Sequence, residues 1–383
     1  MRRPWPNATG TARQQADGLT VLTPGSASWH GRSIFTGTPV QWRAMTTRPR
    51  PSGLLPFLIW LALFYTGWGS LVLIGDYAGQ LVEQWPIAVS MALGSYVAGS
   101  TPMGGGTVGF PVLVLLLDMP ATLGRDFSFA VQAVGMTSAS IYILCTRQPL
   151  EWPMLRAALM GALLGTPLGI LYVAPLVGDL FIKLLFATLW CSFGLLHLRY
   201  LREICSREGM TPVQPAFDRR AGFLVGFFGA LSIASITGVG IDMMLYMVLV
   251  LLCHADLKIA IPTSVILMAF TSLLGVVVKS LTGGFAPGTF EQWLAAAPVV
   301  ALGAPLGALV VSRVGRRPTL VFVSLLCVGQ FLWTLAHERE VLSTWSLTAA
   351  LLGVVLFLLI FQDMHRLGNR MERRARGRTR AKP

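Results

Sequence analysis

The chain has 383 residues, of which 54% are hydrophobic and only 12% charged, about half the charge of an ordinary soluble domain. Its net charge of +13 sits mostly at the two ends, which leaves the middle free to cross lipid. The five cysteines (Cys145, Cys191, Cys205, Cys253, Cys327) have no metal-ligand or redox spacing, so neither a metal site nor a cofactor is expected.

In chain order, residues 1–53 carry Arg2, Arg3, Arg13, Arg32, Arg43, Arg48 and Arg50 against Asp17 and lack an apolar signal-peptide core. They read as a disordered basic cytoplasmic tail. Stretches at 54–75, 124–146, 153–175, 180–201, 259–280, 291–312, 319–336 and 347–362 carry little or no charge. Each is long enough to cross a hydrocarbon core of about 30 Å as helix. Their apolar runs are continuous rather than alternating, which argues against strands. An all-α polytopic membrane protein with about eight full transmembrane helices follows from this pattern. The expected organisation is a first transmembrane helix and loop (54–84), repeat 1 (85–201), a cytoplasmic loop (202–220), repeat 2 (221–336), a last transmembrane helix (337–365) and a basic cytoplasmic tail (366–383).

The two repeats share their landmarks. Gly104-Gly105-Gly106, then Ser128, Thr137-Ser138 and Gly165-Thr166-Pro167-Leu168-Gly169 reappear about 136 residues later as Gly238-Val239-Gly240, Thr263-Ser264, Thr271-Ser272 and Gly303-Ala304-Pro305-Leu306-Gly307. Arginines in the loops 199–220 (Arg199, Arg202, Arg207, Arg219, Arg220) and 313–317 (Arg313, Arg316, Arg317) place these loops and both tails on the cytoplasmic side of the inner membrane. Loop 199–220 stays there only if segments 85–117 and 221–252 each return to the side they started from. Two full crossings need roughly 40 residues, so each segment reads as a Gly-rich re-entrant hairpin, with one long kinked helix as the alternative. The first hairpin then starts outside and the second inside, which makes the repeats inverted, a transporter architecture with its site near the bilayer midplane.

Glycines inside an apolar segment either let helices pack closely or unwind the chain so that backbone N–H groups can bind an anion. Ser100, Thr101, Pro102 and Thr107 around the three glycines favour the second use in copy one, and recurrence of the pattern extends it to Gly238-Val239-Gly240. The hydroxyls can donate to an oxyanion, or can bond to their own helix carbonyls. The residues expected to bind substrate are Ser100, Thr101, Gly104, Gly105, Gly106, Thr107, Ser128, Thr137, Ser138, Thr237, Gly238, Gly240, Thr263, Ser264, Thr271 and Ser272, with Gln132 one turn beyond Ser128. Asp242 is a candidate for proton coupling, or for capping the second half-helix. Arg125 and Asp126 read as an interfacial pair, Lys258 and Lys279 as snorkelling side chains, and His197 and His254 as span-end residues outside any cluster. Tyr96 and Tyr246 either line the cavity or pack.

On these residues the chain resembles the sulfite-exporter family TauE/SafE, over roughly residues 85–335. Gly104-Gly105-Gly106, Pro111 and Ser128 carry the resemblance in copy one; Gly238-Val239-Gly240, Ala260 and Thr263-Ser264 carry it in copy two. Val239, Asp242, Met247 and the Arg125-Asp126-Phe127 triplet depart from the family's pattern. The resemblance implies transport of sulfite, thiosulfate or an organosulfonate. The function expected is therefore secondary transport of a small anion by alternating access, with a passive anion channel as the alternative and a membrane-embedded enzyme as a weaker one. Its partners are the small anion and the lipid bilayer, not nucleic acid, and a homodimer is compatible with the pattern.

Overall fold

The computed structural model describes residues 53–211, 215–314 and 316–380, so the tail read at 1–53 lies almost wholly outside the described residues. Among them there is no strand. The helices are α1 (Leu55–Ile74), α2 (Ala78–Glu83), α3 (Trp85–Ser100), α4 (Gly106–Pro111), α5 (Ala121–Cys145), α6 (Trp152–Leu168), α7 (Asp179–Ser206), α8 (Pro215–Phe228), α9 (Ser235–Thr237), α10 (Ile241–Met247), α11 (Leu257–Thr282), α12 (Thr289–Val314), α13 (Arg316–His337) and α14 (Thr344–Arg380). Eight described helical segments are long and apolar enough to span a bilayer, and the protein is a multi-pass membrane protein.

One of the eight is Ala216–Thr237, the first limb of the second hairpin, in which a π-helical stretch joins α8 to α9. The limbs of this hairpin are therefore unequal, because its second limb is only Ile241–Leu252. α14 continues unbroken to Arg380, through most of the basic segment 366–383. No proline interrupts it, and its Arg, Met and Glu residues are good helix formers.

Both hairpins end in the same way. The pentapeptide Val-Leu-Val-Leu-Leu closes each of them as a π-helical turn, Val112–Leu116 in one and Val248–Leu252 in the other. Two residues later the chain turns through a left-handed residue, Asp118 (φ 52°) or His254 (φ 51°). The long helices α5 and α11 then start from Pro120 (ψ 142°) and Asp256 (ψ 142°).

The hairpins rest on opposite ends of the 28-residue α7. The first hairpin leads into α5, whose Ala121 N–H donates to Asp179 Oδ2 at the start of α7 (2.8 Å). The second ends beside the other end of α7, where Arg207 donates to Val250 O and Thr211 N–H to Cys253 O (2.9 Å).

The two most extensive helix pairings are exchanged between the halves: α6 packs on α8, and α12 packs on α3. Small residues make both approaches close. A Cβ on Gly226 would lie 2.0 Å from Ala158 O, and one on Gly161 2.3 Å from Phe223 O. On the other seam, a Cβ on Gly303 would lie 2.2 Å from Ser95 Cβ. The Gly-x-Pro-Leu-Gly landmarks of the sequence thus begin at helix-packing positions, as small residues commonly do in membranes. Gly226→Ala is expected to cost about 1–3 kcal/mol by overpacking, read as a lower unfolding temperature in detergent.

At the end of this seam Glu151 precedes α6 close to Asp218 of α8. Burial, and secondly the Asp218 carboxylate, raise its pKa from 4.5 to about 7. The folded state then binds more protons than the unfolded one between those values, so stability falls as pH rises from about 4.5 to about 7. A pH series of unfolding temperatures should show this slope, and Glu151→Gln should flatten it.

Candidate functional site

The two interruptions are built alike at their first residue. Thr101 is extended (φ −137°, ψ 167°); its hydroxyl donates to Val97 O (2.7 Å) and accepts from Met103 N–H (3.3 Å). Thr237 does the same, donating to Ile233 O (2.8 Å) and accepting from Val239 N–H (3.4 Å). Each threonine hydroxyl thereby supplies an acceptor to an amide just past the break, a group that a broken helix leaves without an intrahelical partner. The second break also needs two left-handed residues, Gly238 (φ 79°) and Gly240 (φ 99°). The glycines of the first break do not have positive φ; close approach is what they allow.

The two tips touch. Gly104 N–H donates to Asp242 Oδ2 (2.9 Å), and Met243 N–H donates to Asp242 Oδ1 (2.9 Å). A Cβ on Gly106 would lie 2.4 Å from Val239 Cγ1 and 2.8 Å from Ser128 Oγ. Asp242 is fully buried, so its carboxylate is both a local cap for α10 and the bridge between the hairpins.

Two side chains from the wall hold the tips. Gln132 Nε2 donates to Gly238 O (3.1 Å), while its buried Oε1 accepts no hydrogen bond. A Cβ on Gly104 would lie 1.6 Å from that Oε1, so a side chain there would displace the Gln132 amide. Trp190 of α7 donates to Thr107 Oγ1 (3.1 Å) and lies 2.9 Å from the position of a Cβ on Gly240. It continues a stack with Phe186 and Phe110, at centroid distances of 4.1 and 4.4 Å. Sequence reasoning missed Trp190, although its indole in an apolar span needed a buried acceptor.

The structure thus brings Thr101, Gly104, Gly106, Thr107, Ser128, Gln132, Thr237, Gly238, Gly240 and Asp242 to one junction. Gly105 has ordinary room apart from Met91 Cε at 3.1 Å. The remaining hydroxyls lie away from this junction. Ser100, Ser264 and Thr271 donate to carbonyls of their own helices, and Ser138 ties α5 to Ala301 O of α12. Thr263 accepts from Glu151 N–H (3.1 Å). Thr137 and Ser272 have buried hydroxyls without a hydrogen-bond partner.

The Arg125–Asp126 pair read from the sequence is present, and other charged and aromatic residues also have specific partners. Lys279 does not snorkel: its Nζ pairs with Asp126 Oδ2 (2.8 Å), and Arg125 Nε with Asp126 Oδ1 (3.0 Å). His254 is not isolated; it pairs with Glu372 (3.1 Å), with the His365 ring 6.3 Å away. His197 is buried within α7, and its Nε2 meets Tyr246 Oη at 3.0 Å. Tyr96 Oη meets Thr319 Oγ1 at 2.9 Å.

The family model described as sulfite exporter TauE/SafE matches residues 87–332, well over half of the chain. The chain belongs to the TauE/SafE family. No curated protein and no solved structure matches it. TauE/SafE membership, together with the apolar helices, makes it a membrane transport protein, and the match covers both hairpins and all the junction residues named above.

Removing the bridging carboxylate tests the junction directly. Asp242→Ala leaves Gly104 N–H buried without its acceptor, a loss of about 1–3 kcal/mol. Asp242→Asn keeps an acceptor oxygen and should lose less. Thermal unfolding of the two variants side by side gives the order.

Proposed function

We propose that the chain is a secondary transporter of a small anion, a sulfur oxyanion or organosulfonate, which works by alternating access across the inner membrane with both termini cytoplasmic. The observation that carries this reading is the closed contact between two broken hairpins. The space beside the tips, lined by Met91, Gly105, Gln132 and Val300 among others, amounts to about 10 Å³. That is room for about one water, so an oxyanion passes only after the tips part. An open anion channel fits such a junction poorly. Separation of two inverted halves, each carrying one hairpin, fits it well.

Asp242 supports proton coupling in this cycle, because it and an anionic substrate compete for the same amide. Protonation, or withdrawal of the carboxylate, frees Gly104 N–H for the substrate. The direction of transport then depends on whether a proton travels with the anion. An interior-negative potential drives an unaccompanied anion outward by roughly 2.3 kcal/mol per charge per 100 mV.

Liposomes loaded with sulfite are expected to show saturable, voltage-dependent flux with the intact protein. Gly106→Val, which collides with Val239 and Ser128, should abolish that flux while the protein still inserts. Absence of sulfite-dependent flux under either sign of voltage removes the substrate reading.

A further inference from the structure

A cavity of about 250 Å³ opens at the end of the bundle where α5 begins and α11 ends, lined by Thr122, Arg125, Phe129, Ile170, Ser235 and Lys279 among others. It lies at the far end of α7 from the arginine-rich loop 199–220. Cations at the end opposite such loops run against the usual distribution of basic residues. Lys183, also at this end, is neutralised by Glu338 at 2.6 Å.

Arg125 and Lys279 are not neutralised to the same degree. Both face the single carboxylate of Asp126, which is buried and also accepts from Ala286 N–H (2.9 Å). One negative charge against two positive ones leaves the cluster net positive. Arg125 reaches Asp126 through Nε, so the terminal N–H groups of its guanidinium remain for another acceptor. Paired guanidinium N–H groups match the geometry of an oxyanion. Phe129, Ile170, Ala174, Pro175 and Val177 give the cavity an apolar lining beside the two cations. The lining also includes Ser235 on α9, the short helix that ends at the second hairpin tip. That tip packs against the cluster's backbone, since a Cβ on Gly238 would lie 2.3 Å from Arg125 O.

We propose that this cavity is a second anion site, which takes the oxyanion head of the transported substrate at Arg125 and Lys279. Its apolar wall accepts a short organic group, so the chemical class is sulfite or a small alkylsulfonate. The inference rests on the transporter reading and adds a station between solvent and the closed tips. Asp126 sets the affinity from behind by cancelling one of the two positive charges.

Sulfite and ethanesulfonate are the probes, with the full-length protein in liposomes for flux and in detergent for thermal stabilisation. Lys279→Gln should raise the half-saturating concentration about tenfold, the effect of one partly buried charge, while Lys279→Arg should change it little. Asp126→Asn, which makes the cavity more positive, should lower it and enlarge the stabilisation by sulfite. A purely structural cluster would instead weaken every variant in the same direction, which overturns the proposal. If Asp126→Asn does not fold, the contrast between Lys279→Gln and Lys279→Arg decides. Gly106→Val separates the two readings, because it should lose flux yet keep sulfite stabilisation. Wild-type flux with half-saturation unmoved by Lys279→Gln sinks the cavity site alone. Stabilisation that depends on Lys279 without any wild-type flux sinks the transporter reading alone.

Discussion

A helix interrupted inside an apolar bundle exposes backbone groups that cost several kcal/mol each if nothing binds them. The structure around residues 101–106 and 237–242 is organised by that constraint. Thr101 and Thr237 each occupy a carbonyl and an amide at the start of the break. Asp242 then binds one amide from each hairpin, Gly104 and Met243, and Gln132 covers the carbonyl of Gly238. Each tip is therefore completed partly by the other, and neither can retreat without leaving polar groups bare. In the closed arrangement, contact between the hairpins thus satisfies part of what the breaks expose.

The exchanged packing of α6 and α12 extends this dependence through the fold. Gly161 and Gly226 seat α6 on the first limb of the second hairpin, and Gly303 seats α12 beside Ser95 on the first limb of the first. A shift of either hairpin must move a helix that belongs to the other half of the chain. Trp190 reaches both tips from α7 and joins them through one side chain.

Much of this was legible in the sequence. Low charge and long apolar runs gave the membrane-spanning helices, and the paired glycine clusters marked where they break. The repeated Val-Leu-Val-Leu-Leu was present in the chain as well, though apolar content alone does not announce a π-helical turn. The hydroxyls were harder to place. A serine or threonine in a helix bonds its own i−4 carbonyl as readily as a ligand, and Thr271 and Ser264 do so or bond one turn back. Long-range pairings such as Gly104 with Asp242, or Lys279 with Asp126, depend on how the limbs cross, and residue spacing does not encode that. The packing glycines and the tip glycines also look the same in sequence; only the neighbours of a hypothetical Cβ separate Gly226 from Gly106.

The asymmetry between the tips has a chemical consequence in the proposed cycle. Two glycine tips alone would present donors to an anion at all times, and its binding would be independent of pH. Asp242 changes this, because its charge and the substrate's charge compete for the Gly104 amide. A proton on Asp242 and an anion at the tip then favour each other, and by linkage each raises the affinity for the other by the same factor. An anion that crosses with its proton carries one negative charge fewer through the field, so the outward push of the membrane potential is reduced by that charge. In the proposed cycle, the bridge between the tips is thus also the group through which voltage would act on the anion.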